Sequence, residues 1–298
     1  MDINLDKYCV VIASHYPPLD ILTNTISHLV NMQIKVYLVD STPDNDPGNL
    51  FSRLEIGKYR ENSFFELIKL KENMGEGYNY NKGLEKCIVD GFKLITLFSD
   101  DVIIEENYFN PFDIINFFNI KCLDDKDILS LYNTGKQSTI IQTTNFVVDS
   151  GITASSDLFK KIMFRSEFLM DQQDTYFCYQ VRKYGGTIYL YPYPAIFALP
   201  IGRESSGGVH YLPIWRIYLL SRNTLTLFLE TYKIEFLFNI LMNSVFIYKF
   251  LLHGKNRILG IRSVLYGIYD AIQGHLGITA HLIFLSNGRF SNEFKKRQ

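Results

Sequence analysis

The chain is short of almost everything that would mark a specialised compartment or a polyelectrolyte partner. It has no charge excess: 30 Lys plus Arg stand against 31 Asp plus Glu, a formal net of −1 over 298 residues, so the basic field that binds nucleic acid is absent. Its four cysteines, at 9, 87, 122 and 178, have neither the paired spacing of a metal site nor the density of a disulfide scaffold, and a reducing compartment is expected. The first ten residues, MDINLDKYCV, carry acids where an export signal carries bases, so no export signal is expected. Long apolar runs are also missing. The longest uncharged run of the late, most apolar region, Phe236 to Tyr248, is 13 residues and includes Asn239, Asn243 and Ser244, too short and too polar to span a bilayer.

What the chain does have is a core and an uneven distribution of charge. Apolar residues make up 47% and aromatics 15%, which excludes a disordered chain and supports one large α/β unit or a domain with an appendage. From Phe236 to Gln298 eight basic residues face two acidic ones, a net of +6, so the remainder carries −7. A basic, aromatic C-terminal segment suits an anionic membrane surface. It equally suits a helical hairpin with a solvated basic face.

Short β-rich runs at Tyr8 to Ala13, Ile34 to Val39, Phe64 to Leu70 and Leu94 to Phe98 alternate with helical patterns at Leu19 to Met32 and Gly77 to Gly91. This rhythm predicts an α/β fold with a mostly parallel sheet and helices on both faces, its ligand crevice at the C-terminal strand ends. The β-branched run Ser138 to Val148 reads as a hairpin or a long strand. Helices are expected near Ser155 to Phe164 and Asp174 to Tyr184, with a strand at Thr187 to Tyr191 and a flexible stretch at Gly202 to Gly208. Everything from Pro213 to the polar tail reads helical, so the expected division is 1–212 and 213–298.

Three segments could carry chemistry. Ser99-Asp100-Asp101 follows a buried strand, where carboxylates serve either as oxygen ligands of a divalent cation or as turn formers. Asp171 and Asp174 open a helix, as a general base or as an N-cap. The glycine-rich run Asn73 to Gly83 joins strand to helix, yet lacks the ending of a Walker loop and the spacing of a dinucleotide fingerprint.

In chain order, these segments resemble the inverting family 2 glycosyltransferases of the GT-A fold, in the subgroup of bacterial rhamnosyltransferases and galactofuranosyltransferases. Five motifs between Tyr8 and Gly277 carry the resemblance. They are N-x-G-x-(A/G)-x-x-x-N-x-G at Asn73 to Gly83, the acidic triplet at Ser99 to Asp101, Phe168 to Tyr176, R-x-Y-x-x-x-R-N at Arg216 to Asn223, and an approximate D-G-x-x-G-x-x-G at Asp270 to Gly277, with Ala271 in place of its first Gly.

The resemblance implies a GT-A nucleotide-sugar-binding domain with a helical, basic C-terminal extension. The nucleotide would be held by Ala13, Ser14, His15, Asp40, Asn73, Gly75, Asn81 and Asp100, and Mg2+ or Mn2+ by Asp101, while Asp174 would be the catalytic base. Weaker parallels place Asp171, Trp215, Arg203 and Arg222 toward the acceptor or the diphosphate. Core packing of Trp215 and surface salt bridging by the arginines are the alternatives. Ser99 replaces the first acid of the family triplet, Tyr176 stands for its usual Glu, and the family's metal-ligating His is absent at Leu199 to Gly202, leaving His210 as its substitute. Gly202 to His210 would be a lid or an ordinary surface loop.

The implied reaction moves rhamnose from dTDP-rhamnose to a lipid-linked glycan of bacterial surface polysaccharide, at the cytoplasmic face of the plasma membrane. UDP-galactofuranose or another UDP-hexose is the alternative donor, and a non-catalytic nucleotide-binding subunit the alternative role. The aromatic helices leave self-association open.

Overall fold

The computed structural model describes residues 3–43, 59, 61–121, 125–132, 142–198, 204–206, 209–254 and 256–286. The chain divides into two compact units, one of residues 1–164 and 174–199, the other of residues 165–173 and 200–298. No shift of composition signals the transfer of the mid-chain segment 165–173 to the second unit.

The first unit is an α/β layer structure. Strands β1 (Tyr8–Ser14), β2 (Lys35–Asp40), β3 (Phe65–Lys69) and β4 (Leu94–Ser99) pair in parallel in the order β3-β2-β1-β4. All seven residues of β1 are buried, as expected of a central strand covered on both faces. Its alternate side chains feed two cores. Val10 and Ile12 join Leu22, Ile26 and Leu29 of helix α1 (Leu19–Asn31), whereas Val11 and Ala13 join Tyr80, Leu84 and Cys87 of helix α2 (Glu76–Val89). Gly83 permits the second contact: a Cβ there would run into the Val11 side chain, so α2 can lie close on β1 only with glycine at this turn.

The second half brings the antiparallel pairings into a sheet that stays mostly parallel, as expected. Strand β8 (Ile152–Ser155) pairs antiparallel with both β4 and β6 (Ile128–Ser130), and β9 (Ile188–Leu190) runs parallel to β6 and antiparallel to β7 (Gln142–Thr144). The eight-stranded sheet is therefore mixed. A side ribbon pairs β5 (Val102–Ile104) with β10 (Ile196–Ala198), and helix α3 (Pro111–Lys121) lies between β5 and β6 in the chain.

Two expected elements are shorter than the sequence suggests. Of the run 138–148, residues 138–141 lie outside the described residues, and only Gln142–Thr144 of the rest form a strand. The helix expected to reach Phe164 is one turn, α4 (Ser156–Phe159), capped by Ser155. Beyond it, the Phe164 backbone is bonded to Asn81, as described below. Helix α5 (Gln173–Lys183) follows.

In the second unit, a hairpin of β11 (Glu204–Ser206) and β12 (Val209–Tyr211) precedes helices α6 (Ile214–Thr231), α7 (Ile234–His253), α8 (Arg257–Gln273) and α9 (Ala280–Ser286). Of the flexible stretch expected at Gly202 to Gly208, Glu204–Ser206 pair with Val209–Tyr211, and residues 202, 203, 207 and 208 lie outside the described residues. Helices α6 and α8 pack closely because Gly267 of α8 faces the backbone of Tyr218 and Arg222, at 2.7 and 3.0 Å from where a Cβ would stand. Among the described residues no helix is long and apolar enough to cross a membrane.

Candidate functional site

The C-terminal ends of β1 to β4 bring the predicted crevice residues of the first unit together. Asp40 is fully buried, with Oδ2 on Lys69 Nζ at 2.6 Å and Oδ1 accepting from the Thr42 N–H at 3.0 Å. The Ser14 carbonyl accepts from the Ser41 N–H at 3.0 Å and from the Asn79 amide at 3.2 Å, and Asn79 also donates to Ser41 Oγ at 3.0 Å. Ser14 and Asp40 thus brace the floor. Ala13, expected to face a nucleobase, lies in the apolar core beneath α2, a correction that follows from strand alternation.

Above this floor stands His15. Its N–H donates to Asp100 Oδ2 at 2.9 Å, its Nε2 accepts from the Asn73 amide at 3.0 Å, and its Nδ1 lies 3.3 Å from the Ser41 carbonyl. An acceptor at Nε2 and a donor at Nδ1 describe one neutral tautomer. Asn73 Oδ1 accepts from the Gly75 N–H at 3.0 Å, and Gly75, at φ 90, opens α2 in a conformation that glycine adopts readily. Tyr16, at φ 55 and 47% exposed, sets its ring edge-to-face with His15 at 4.6 Å.

Beside His15 is a set of carboxylates within electrostatic range of one another. Burial pushes Asp100 up to about 7, the Asp101 charge adding to the effect and the His15 N–H opposing it. Burial also raises Asp101 against the hydrogen bond from Ser99, whose Oγ donates to Asp101 Oδ1 at 2.5 Å. Ser99 in turn is joined to Ser150 Oγ at 3.1 Å. Glu76 lies well above the ordinary carboxylate range, through burial first and then through Asp149, Asp100, Asp101 and Asp174. Glu76 and Asp100 therefore feel the charge of neighbouring acids in a low-dielectric region, which opposes their ionisation.

Asp174 sits in the first turn of α5, one residue inside its start, and Oδ1 accepts from the Thr175 N–H at 2.7 Å. The N-cap alternative is thereby corrected. A carboxylate in this turn is favoured by the helix dipole.

Asn81 is also corrected. Its amide donates to the Phe164 carbonyl at 2.8 Å and its carbonyl accepts from the Phe164 N–H at 3.0 Å, so it is a strut between α2 and the chain after α4 rather than a nucleotide contact.

In the second unit, the segment 165–173, which leads directly into Asp174, is held by the R-x-Y-x-x-x-R-N motif of α6. Arg216 forks onto Asp171, with Nη2 to Oδ1 at 2.5 Å and Nε to Oδ2 at 3.2 Å. Arg222, fully buried, donates to the carbonyls of Gly277 at 2.7 Å and Glu167 at 3.1 Å. The Asn223 amide donates to the carbonyls of Phe168, Met170 and Asp171 at 3.0, 2.8 and 3.0 Å. These bonds hold a strained path, since Leu169, Asp171 and Gln172 all have positive φ, at 64, 60 and 67. Neither expectation for Arg222 survives: it is neither a diphosphate ligand nor a surface salt bridge, because its guanidinium is enclosed and bonded to backbone. Trp215 packs on the cluster of Leu169, Leu219 and Leu282, the packing alternative. The acid of the last motif, Asp270, accepts from Tyr218 at 2.5 Å and pairs with His281 at 2.9 Å. Burial raises its pKa, but these donors outweigh burial and hold the carboxyl below its ordinary range.

Arg203 and the segment 199–202 lie outside the described residues; His210 is on β12, its side chain likewise outside them. Sequence reasoning missed Tyr16, Glu76 and Asp149. Tyr16 had one signal, its place before Pro17-Pro18 at the end of a strand.

No family model matches the chain, and no curated protein matches it. Solved structures do. GalNAc-T7 with UDP, GalNAc and Mn2+ superposes with a TM-score of 0.51 at 10% identity, over 65% of this chain and 44% of that one. This chain therefore matches less than half of that protein. The mannosyltransferase PcManGT from Pyrobaculum calidifontis, in complex with GDP-Man and Mn2+, superposes with a TM-score of 0.52 at 11% identity, over 95% of this chain and 79% of that one. The fold is the one these proteins share, GT-A.

Proposed function

We propose that this protein is an inverting hexosyltransferase that takes its sugar from a nucleoside diphosphate and places it on a hydroxyl of a lipid-linked glycan in bacterial surface polysaccharide synthesis. One observation carries the proposal: at the C-terminal strand ends of a GT-A sheet, Glu76 and Asp100 are held above the ordinary carboxylate range by burial and by neighbouring acids, Asp149, Asp100, Asp101 and Asp174 acting on Glu76 and Asp101 on Asp100. Carboxylates held against their own repulsion suit a site that receives a cation and a proton.

In this reading Asp174 accepts the proton of the acceptor hydroxyl as its oxygen attacks the anomeric carbon. The new C–O bond forms on the face opposite the departing nucleoside diphosphate, so configuration inverts. Asn73 and Asp100 fix His15 at the crevice rim, and Tyr16 offers a ring face to the base.

The donor set fits a hard divalent cation, Mg2+ or Mn2+. Asp101, oriented by Ser99, would lead, with Asp100 beside it. Among the described residues no three His, Cys, Asp or Glu are grouped to cage a metal, so the other ligands would be diphosphate oxygens and water, the usual habit of Mg2+. Bound there, the cation would neutralise charge on the leaving diphosphate. The mannosyltransferase and GalNAc-T7 structures, each with a nucleotide and Mn2+, support this assignment.

The test is a thermal-shift and hydrolysis panel with dTDP-rhamnose, UDP-galactofuranose, UDP-glucose and GDP-mannose, with and without Mn2+ or Mg2+. One donor should raise the melting temperature in a cation-dependent way and be slowly hydrolysed. No stabilisation by any donor under any cation condition would contradict the proposal.

A further inference from the structure

Helix α8 is amphipathic in the reverse of the usual sense. The side it turns inward is small or polar: Gly260, Ser263, Gly267, Asp270 and Ala271 are its buried residues. The side it turns outward is Ile258, Ile261, Leu265, Ile268 and Ile272, between 37% and 72% exposed. Their spacing of three and four residues aligns them in one stripe along the helix. Helix α7 buries large residues, Phe236 and Phe250, yet also turns an apolar stripe outward, with Leu241, Val245, Tyr248 and Leu252 all exposed at the same spacing. A soluble helix buries its large aliphatic face and shows its small polar one. Contiguous outward apolar surface of this kind marks an interaction site.

The charge around the stripes selects the occupant. From residue 236 to residue 286 the only acid in the sequence is Asp270, and it is 1% exposed. Arg257 and Arg262 are both exposed, and with Asn256 and Gly254 they line a cleft of ≈ 680 Å³ at the turn between α7 and α8. Glu235, in the first turn of α7, lies outside this span, so a second copy that set one basic rim of residues 249–262 against another would bring like charges together. Neither helix is long and apolar enough to span a bilayer. Outward aliphatic stripes with the basic residues Lys249, Lys255, Arg257 and Arg262 beside them in sequence match the boundary between acyl chains and anionic headgroups.

We propose that the outward faces of α7 and α8 seat the protein on an anionic lipid surface, the aliphatic stripes entering the acyl boundary and Arg257 and Arg262 meeting headgroup phosphates. Association of this kind needs no sugar donor, so it stands or falls independently of the transferase proposal.

The experiment is flotation of the full chain with phosphatidylcholine vesicles, with and without phosphatidylglycerol, over a salt series. The protein should float with the phosphatidylglycerol vesicles, less as salt rises. Ile261→Ser with Leu265→Ser, and separately Arg257→Gln with Arg262→Gln, should each lower the partition coefficient by about tenfold. Absence of the wild-type protein from the floated anionic vesicles would overturn the proposal. So would flotation unaffected by salt, a reading that needs no variant to fold. A dimer that the Ile261→Ser, Leu265→Ser pair dissociates while flotation is unchanged would also overturn it, by assigning the stripes to a second copy.

Discussion

The crevice rim of the sheet unit and the motif helix α6 of the helical unit are both rich in charged residues at family-like spacing, yet they treat charge in opposite ways. At the rim, carboxylates are half-buried beside one another, and Asp100 and Glu76 keep their protons longer than isolated acids do. On α6, Arg222 is enclosed and bonded to carbonyls, and Arg216 is paired with Asp171. The first arrangement leaves electrostatic tension for a ligand to relieve. The second leaves none and holds a strained loop in place. Spacing alone does not separate a ligand set from a clamp; the balance of partners does.

Breaking the clamp should have the largest effect on stability. Arg222→Met leaves the carbonyls of Gly277 and Glu167 without their buried donor, and thermal unfolding should show a loss of roughly 3 kcal/mol. A loss under about 1 kcal/mol would mean the guanidinium is not the anchor. Asn81→Ala tests the comparison from the other side, because this residue belongs to the catalytic-looking region but acts as a strut. It should lower stability by about 2 kcal/mol through the two unpaired groups of Phe164 while leaving donor affinity unchanged in a titration.

The rim should instead respond to pH and cations. The Asp100 carboxyl is raised to about 7 in the folded protein, against about 4 in an unfolded chain. The stability it contributes is complete below about pH 4 and is lost as pH rises through about 7. The melting temperature of cation-free protein should therefore fall across that window. Mn2+ should restore more of it at about pH 8 than at about pH 5, and Asp100→Asn should flatten the slope. The smallest effect is expected of Ser99→Ala, which removes only the hydroxyl that orients Asp101. Cation affinity should weaken about tenfold with little change in melting temperature, as titration by thermal shift would show.

The first half of the fold was legible in the sequence because β1 to β4 are long enough to display apolar runs ending in turn residues, and α1 and α2 show clear periodicity. The strands β6, β7 and β9 have three residues each, too few for any period, so the antiparallel half of the sheet was hidden. At the site, Asp100, Asp101 and Asp174 stood out as acids at element ends. Glu76 and Asp149 did not, because their importance lies in proximity to other acids across the fold. Arg222 was misread for a related reason: an arginine on a helix suggests solvent, and its burial rests on backbone carbonyls distant in sequence, those of Glu167 and Gly277.

The central claim is that the rim performs chemistry and the clamp does not, and Asp174→Asn tests it most directly. Donor affinity and donor turnover should be measured side by side on the wild type and this variant, with the cation present. Loss of about 10³-fold in turnover with donor affinity and melting temperature preserved is the predicted result. Turnover at the wild-type rate would contradict the assignment of Asp174 as the base and return it to a structural role at the start of α5.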